Sequence, residues 1–228
     1  MSNTDLDLTD MAKDCIKELL SVWLAFERKL SKEEIVASIE NQTIQVNSYK
    51  RLLINLRQQV IEGSRWIARA ASSFDRDHSE IRSLILRHAN EEHLDFHKLE
   101  KDFVHLGGDE TDILNSPKNI GSEALHGYMM YQATLPNPVQ LIGAMWIIEG
   151  LGRKMATKWA SYIEETLKLE DIANFMKYHG ENDDDHFETL YQVLNSSCQT
   201  KDDINKIVKC AKVVARLYIL QLSEIDNV

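Results

Sequence analysis

The stretch RHANEEHLDFHKLEKDFVHLGGD, residues 87–109, decides the fold class. It runs for some twenty residues without proline or glycine, repeats its apolar residues at helical intervals, and stops at Gly107 and Gly108, residues that supply left-handed helix ends. Within it, His88, Glu92 and Asp95 are spaced i, i+4, i+7, which places three potential metal ligands on one stripe of a helix over about 78–105.

The flanking sequence reads the same way. Nine glycines and three prolines in 228 residues are too few for a sandwich or barrel of short strands. Apolar spacing predicts helices over about 9–30 and 32–62, the second opened by a capping box of Ser31 and Glu34 and closed at Gly63. A short helix follows around Trp66. Further helices are predicted over about 121–133, over 138–168 with Asn137 as N-cap and Pro138 at its first position, over 171–195, and over 201–225 behind a Thr200–Asp203 cap. No repeat, low-complexity run or linker divides the chain. The expectation is an all-α bundle of seven or more helices forming one domain over residues 1–228.

Charge narrows the partners. A net charge of −10 repels nucleic acid phosphates and anionic lipid alike, so a small-molecule or protein partner is expected, with neither nucleic acid nor membrane. Cys15, Cys198 and Cys210 lie far apart with no CxxC, which fits reduced thiols in the cytoplasm. The acidic start MSNTDLDLTD is unlike a secretory signal, and no apolar run approaches the roughly 20 residues of a membrane span.

A second ligand stripe stands in YHGENDDDHFETL, residues 178–190, where His179, Asp183 and His186 repeat the i, i+4, i+7 spacing. Between the two lies Glu149, an acid inside the otherwise apolar GAMWIIEGLG, residues 143–152, where an ionised carboxylate needs a compensating charge. A metal cation supplies one, and helical bundles assemble such centres from imidazoles and carboxylates on facing helices. Singly, these residues have plainer readings: solvated histidines, a solvated acidic patch at Asp183–Asp185, or a Glu149–Arg153 pair one turn apart. Gly143, Gly150 and Gly152 in the same helix point to close packing or room for a ligand. The tryptophans and tyrosines, Trp23, Trp66, Trp146, Trp159, Tyr128 and Tyr131, read as core.

The order H-x2-EE-x2-D-x6-D-x3-LG, then NP-x9-IEG, then H-x3-D-x2-H resembles the haem-oxygenase-like diiron oxidases, the iron-containing redox enzymes, over roughly residues 75–225. Members of that family include a fatty-acid decarboxylase, N-oxygenases and oxidative C–C lyases of amino acids, and a self-sacrificing p-aminobenzoate synthase. The resemblance implies a bundle of at least seven helices. It puts Glu149, His179, Asp183 and His186 at ligand positions and matches Glu92 to a carboxylate position of some members. At Asp95 the pattern usually has histidine, while His88 stands where some members place a carboxylate. Either the two ligand types are exchanged in an intact dinuclear site, or one metal is weak or missing; a register shifted by two residues would bring in His93 or His97 instead.

The activity implied by the resemblance is that of an oxidase or oxygenase with two iron ions, or iron and manganese. It would activate O2 to oxidise a small organic substrate such as an amino or fatty acid derivative, with Glu149 as a catalytic carboxylate. A homodimer is expected. The same broad fold hosts thiaminase-like hydrolases, whose nucleophilic cysteine follows the Leu-Pro before the long helix; here that place is Asn137. The alternative is a metal-poor or non-catalytic binding protein that kept the fold.

Overall fold

The computed structural model describes residues 8–227, apart from the side chains of residues 182–186. Among the described residues there are eleven α-helices and no strand. α1 (Asp10–Leu30) starts where the Thr9 hydroxyl accepts from the Ala12 N–H. It buries Cys15, Leu19, Val22, Trp23, Phe26 and Leu30 at spacings of three and four, the pattern of an amphipathic helix.

The expected helix over 32–62 differs in the structure. Ser31 does not cap it, because its backbone is still helical (φ −64, ψ −10) and its N–H donates to Glu27 O at the end of α1. A short α2 (Glu34–Glu40) stops before Gln42, whose φ of 55° is left-handed. α3 (Val46–Ser73) then runs straight through Gly63 and absorbs the separate helix expected at Trp66. A lone helical glycine costs only about 1 kcal/mol, and burial of Leu52, Leu53, Leu56, Trp66 and Ile67 along α3 outweighs it.

A short 3-10 turn (Arg76–His78) leads into α4 (Ser79–Glu92), α5 (Phe96–His105) and the small α6 (Glu110–Asn115). Gly107, at φ 72°, terminates α5 as expected. α7 (Ile120–Ala133) follows, then α8 (Leu141–Leu151), a π-helical turn (Gly152–Ala156) and α9 (Thr157–Leu167). Asn137 is not an N-cap, since its φ of 47° departs from the extended conformation a cap needs. Its side chain instead joins two corners of the bundle, accepting from Asp75 N at 2.9 Å and donating to Asp75 Oδ2 at 2.6 Å. α10 (Asn174–Ser197) and α11 (Lys201–Ser223) complete the chain, α11 behind the expected reciprocal Thr200–Asp203 cap.

α11 packs against α8, α1 and α7, α3 against α4, α5 and α7, and α10 against α8, α9, α4 and α5. Close packing explains the glycines of α8. A Cβ on Gly143 would stand 2.0 Å from Ile207 O on α11, and one on Gly150 would stand 2.5 Å from the Trp23 ring. Tyr131, expected in the core, is 61% exposed because it lies on the outer side of α7. No helix is long and apolar enough to cross a membrane among the described residues.

Candidate metal centre

α4, α8 and α10 bring their polar residues together where two of the helices lose regularity. α4 ends at Glu92, and residues 93–95 turn before α5 begins, so His88, Glu92 and Asp95 do not share one continuous helix as the spacing suggested. The turn still delivers Asp95 inward: it is 3% exposed, as is His88, while His93 and His97 are exposed. That settles which of the three nearby histidines faces the interior. His93 Nδ1 stands 2.9 Å from Asn90 O, and His97 Nδ1 stands 2.7 Å from Glu100 Oε2.

Glu149 comes from α8, three residues before the π-helical turn, and is 7% exposed. Its Oε1 lies 3.2 Å from His88 Nε2. His179 comes from the second turn of α10 and its Nε2 lies 3.3 Å from Asp95 Oδ2. Two features set α10 in place. The fully buried Asp102 of α5 caps the helix start, accepting from Phe175 N at 3.0 Å and from the Asn174 side-chain amide at 2.9 Å. Beside His179, Gly180 allows close approach to α9, because a Cβ there would stand 2.0 Å from Thr157 Oγ1.

The result is two overlapping groups. One ligand atom each from His88, Glu92 and Glu149 lie within 4.8 Å of one another, and so do atoms from Glu92, Asp95 and His179. Glu92 belongs to both. Asp183 and His186, the other expected ligands, have side chains outside the described residues. Arg153, the plainer partner considered for Glu149, has its guanidinium over the Phe187 ring, 4.9 Å from the centroid.

Electrostatics follow from crowding three carboxylates in a buried place. Burial, then the neighbouring Glu149 charge, push the Glu92 carboxyl up to about 7, against the pull of His179 and His88. Burial also works against Asp95, but hydrogen bonds from His179 and Lys98 hold its carboxyl below the usual aspartate range. Lys98, one turn after Asp95 and over the Tyr178 ring, was not singled out in the sequence; its i+3 spacing was the signal available. A cation between the groups would let Glu92 ionise at neutral pH. Imidazole nitrogens mixed with carboxylate oxygens suit iron or manganese, so the residues fit such a group.

A cavity of about 120 Å³ opens onto this cluster, with Glu92, Glu149 and His179 in its wall. The rest of the lining is chiefly apolar and includes Trp66 and Trp159, both read as core in the sequence. None of the three cysteines lines it, and all three are buried. A thiol nucleophile at this cavity therefore has no candidate among them.

An all-helical bundle with a buried carboxylate–histidine cluster at the foot of an apolar cavity is the class of protein that fold and site define. A family model of iron-containing redox enzymes matches residues 64–219, and the chain belongs to that family. No curated protein matches it. Among solved structures, the chain is similar to a domain of unknown function with a haem-oxygenase-like fold from Shewanella denitrificans OS217, at 19% identity over 92% of this chain and 90% of that one, TM-score 0.85. It is also similar to a TenA homologue from Pseudomonas syringae pv. tomato DC3000, at 13% identity over 94% and 93%, TM-score 0.77. A third similar structure is a TenA-like thiaminase candidate from Sulfolobus solfataricus P2, at 15% identity over 93% and 94%, TM-score 0.64. At such identities these likenesses show the haem-oxygenase-like fold alone.

Proposed function

We propose that this chain is an oxidase or oxygenase that holds two metal ions, both iron or one iron and one manganese, and uses O2 to oxidise a small organic substrate. The observation that carries the reading is Glu92, a single buried carboxylate common to two ligand groups drawn from α4, the α4–α5 turn, α8 and α10. His88, Glu92 and Glu149 would hold one ion, and Glu92, Asp95 and His179 the other. Asp183 and His186 would complete the set from α10. On this reading the histidine and the acid are exchanged relative to the family pattern, with His88 supplying the imidazole that Asp95 does not. Ions held there would supply electrons to O2.

This chain's residues do the rest. Glu92, with its carboxyl near 7, gives up its proton on metal binding and is well placed to take one back at Oε1 or Oε2. Glu149 holds His88 at 3.2 Å and faces the cavity, where it can carry a proton to or from the substrate. Lys98 and His179 keep Asp95 ionised. The apolar walls exclude water from the reacting end.

Anaerobic titration of the metal-free chain with ferrous iron, followed by exposure to O2, tests the reading. Uptake of both ions and O2 consumption that depends on them is the expected result. Uptake below half an equivalent without O2 consumption overturns it and leaves a metal-poor binding protein.

A further inference from the structure

Gly63 stands in the middle of α3, where helix propensity favours almost any other residue. Nothing in the surrounding structure demands a glycine: its φ is not positive, and a Cβ built on it meets no atom within 4 Å. Close packing explains Gly143, Gly150 and Gly180, and it does not explain this one. What Gly63 does touch is the cavity, whose wall it forms together with Val60, Trp66 and Trp159. A side chain at 63 would take up space that the cavity now offers to a ligand.

The lining states what that ligand is. Among the described residues that form the wall, the charged or ionisable groups besides Tyr218 are Glu92, Glu149 and His179, all at the metal end. No lysine or arginine lines it, so a ligand carboxylate away from the metals would be desolvated without a counter-charge, at considerable cost. Three side chains with neutral polar groups remain in the wall, Gln59, Trp159 and Tyr218. Gln59 accepts from Gln221 Nε2 at its Oε1, at 2.8 Å, which turns the amide so that its NH2 is the end left to donate, and Tyr218 brings a hydroxyl to the same wall; the Trp159 Nε1–H is enclosed by the protein and does not reach the cavity. Dry apolar cavities of about 150 Å³ accept benzene. At about 120 Å³, this one suits a group of ring size and not a long chain.

We infer that the substrate carries an uncharged, ring-sized apolar group with a neutral hydrogen-bond acceptor, and that Gly63 is the specificity-determining residue that leaves room for it. The inference rests on the metal reading only for which end of the substrate reacts.

Isothermal titration of the full chain, as purified and after chelation, with benzamide, benzoate and L-phenylalanine as probes tests it. After chelation, benzamide should bind at least about tenfold more tightly than its two charged counterparts. Gly63→Leu should weaken benzamide binding by at least about tenfold while taking up the same amount of iron, and Gly63→Ala should raise the melting temperature. If Gly63→Leu lacks the helical circular dichroism of the parent, Val60→Phe, one turn earlier on α3, replaces it as the cavity-filling variant. Equal binding of benzoate or L-phenylalanine after chelation overturns the inference, as does parent-like benzamide binding by a folded cavity-filled variant. Iron uptake on the same samples separates the two readings. Iron bound without benzamide binding defeats this inference alone, and benzamide bound without iron defeats the metal reading alone.

Discussion

α11 and the α4–α5 segment carry similar helical patterns in sequence and end as different objects. α11 runs unbroken from Lys201 to Ser223, starts on a reciprocal Thr200–Asp203 cap and buries Ile204, Ile207, Val208, Ala211, Val214 and Tyr218 against its neighbours. The α4–α5 segment breaks at residues 93–95, and the break sits between Glu92 and Asp95, two of the groups that converge on the candidate centre. α8 does something related, passing into a π-helical turn three residues after Glu149. Regular helix supplies the scaffold's stability. Departures from it re-aim side chains, which is why π-turns and broken helices gather at functional places.

Variants at the break should therefore change chemistry, and variants in the regular region should change stability. The largest effect expected is at Glu92. Because both ligand groups share it, Glu92→Ala should abolish retention of both ions, whereas His88→Ala or Asp95→Ala should each spare one. His93→Ala, on an exposed residue, should leave metal content unchanged. Metal analysis after anaerobic loading checks all four; equal losses for Glu92→Ala and His88→Ala would break the shared-carboxylate arrangement.

The opposite outcome is expected where α8 crosses α11. Gly143→Ala forces a Cβ to within 2.0 Å of Ile207 O, a backbone atom that cannot swing aside. The helices must separate, at a cost of about 2 kcal/mol or more. Denaturant unfolding should show that loss, with metal uptake by the folded fraction unaltered.

These contrasts also explain what the sequence discloses and what it hides. The Thr200–Asp203 cap, the end of α5 at Gly107 and the amphipathic face of α1 depend on neighbours within a turn, so local pattern suffices to read them. Whether Asn137 takes a positive φ and whether Gly63 ends a helix are decided by contacts distant in sequence, whereas Ser31 fails to cap because α1 runs on into it, its N–H still donating to Glu27 O. Asn137, for instance, is held by Asp75, 62 residues away. The i, i+4, i+7 spacings single out His88, Glu92, Asp95 and His179, and the lone acid in an apolar run singles out Glu149; the structure brings all five into the two groups. Spacing alone does not disclose that a turn separates Glu92 from Asp95. Nor does it show that Asp102 caps α10 or that Trp159 and Gly63 line a cavity, since those depend on which helices meet.

Asp102 offers a smaller test across the same divide. Asp102→Ala removes the acceptor of the half-buried Phe175 N–H and one of the two acceptors of the Asn174 amide, which also donates to Asp171 O, a loss of about 1–2 kcal/mol. Because that cap positions the turn leading to His179, iron affinity should fall too. Thr200→Ala removes an exposed cap at about 1 kcal/mol and should leave iron affinity as it was. Equal effects of the two variants on iron would mean that the start of α10 does not position the centre.

The smallest effect expected is the pH dependence of the metal-free chain. Glu92 has its carboxyl raised from 4.5 to about 7 by burial and by Glu149. For an acid whose folded value lies above its unfolded one, the folded state binds the extra proton between those values, so the contribution of Glu92 to stability is fully present below pH 4.5 and is lost as pH climbs to about 7. Asp75, lowered to about 2 by His78 and Asn137, gains its stabilisation well below this range and does not offset the fall. His88, His179, Glu149 and Asp95 all face Glu92, so a Glu92→Gln variant is needed to isolate its share. Between pH 5.5 and 7.5 the melting temperature of the metal-free parent should drop by a few degrees more than that of Glu92→Gln. Loading with iron should reverse the sign, because the ions bind the ionised carboxylate and their affinity rises as the proton leaves. Parallel curves for parent and variant would mean that Glu92 is ionised throughout, and that the crowding of carboxylates at the α4–α5 break is relieved by the two histidines alone.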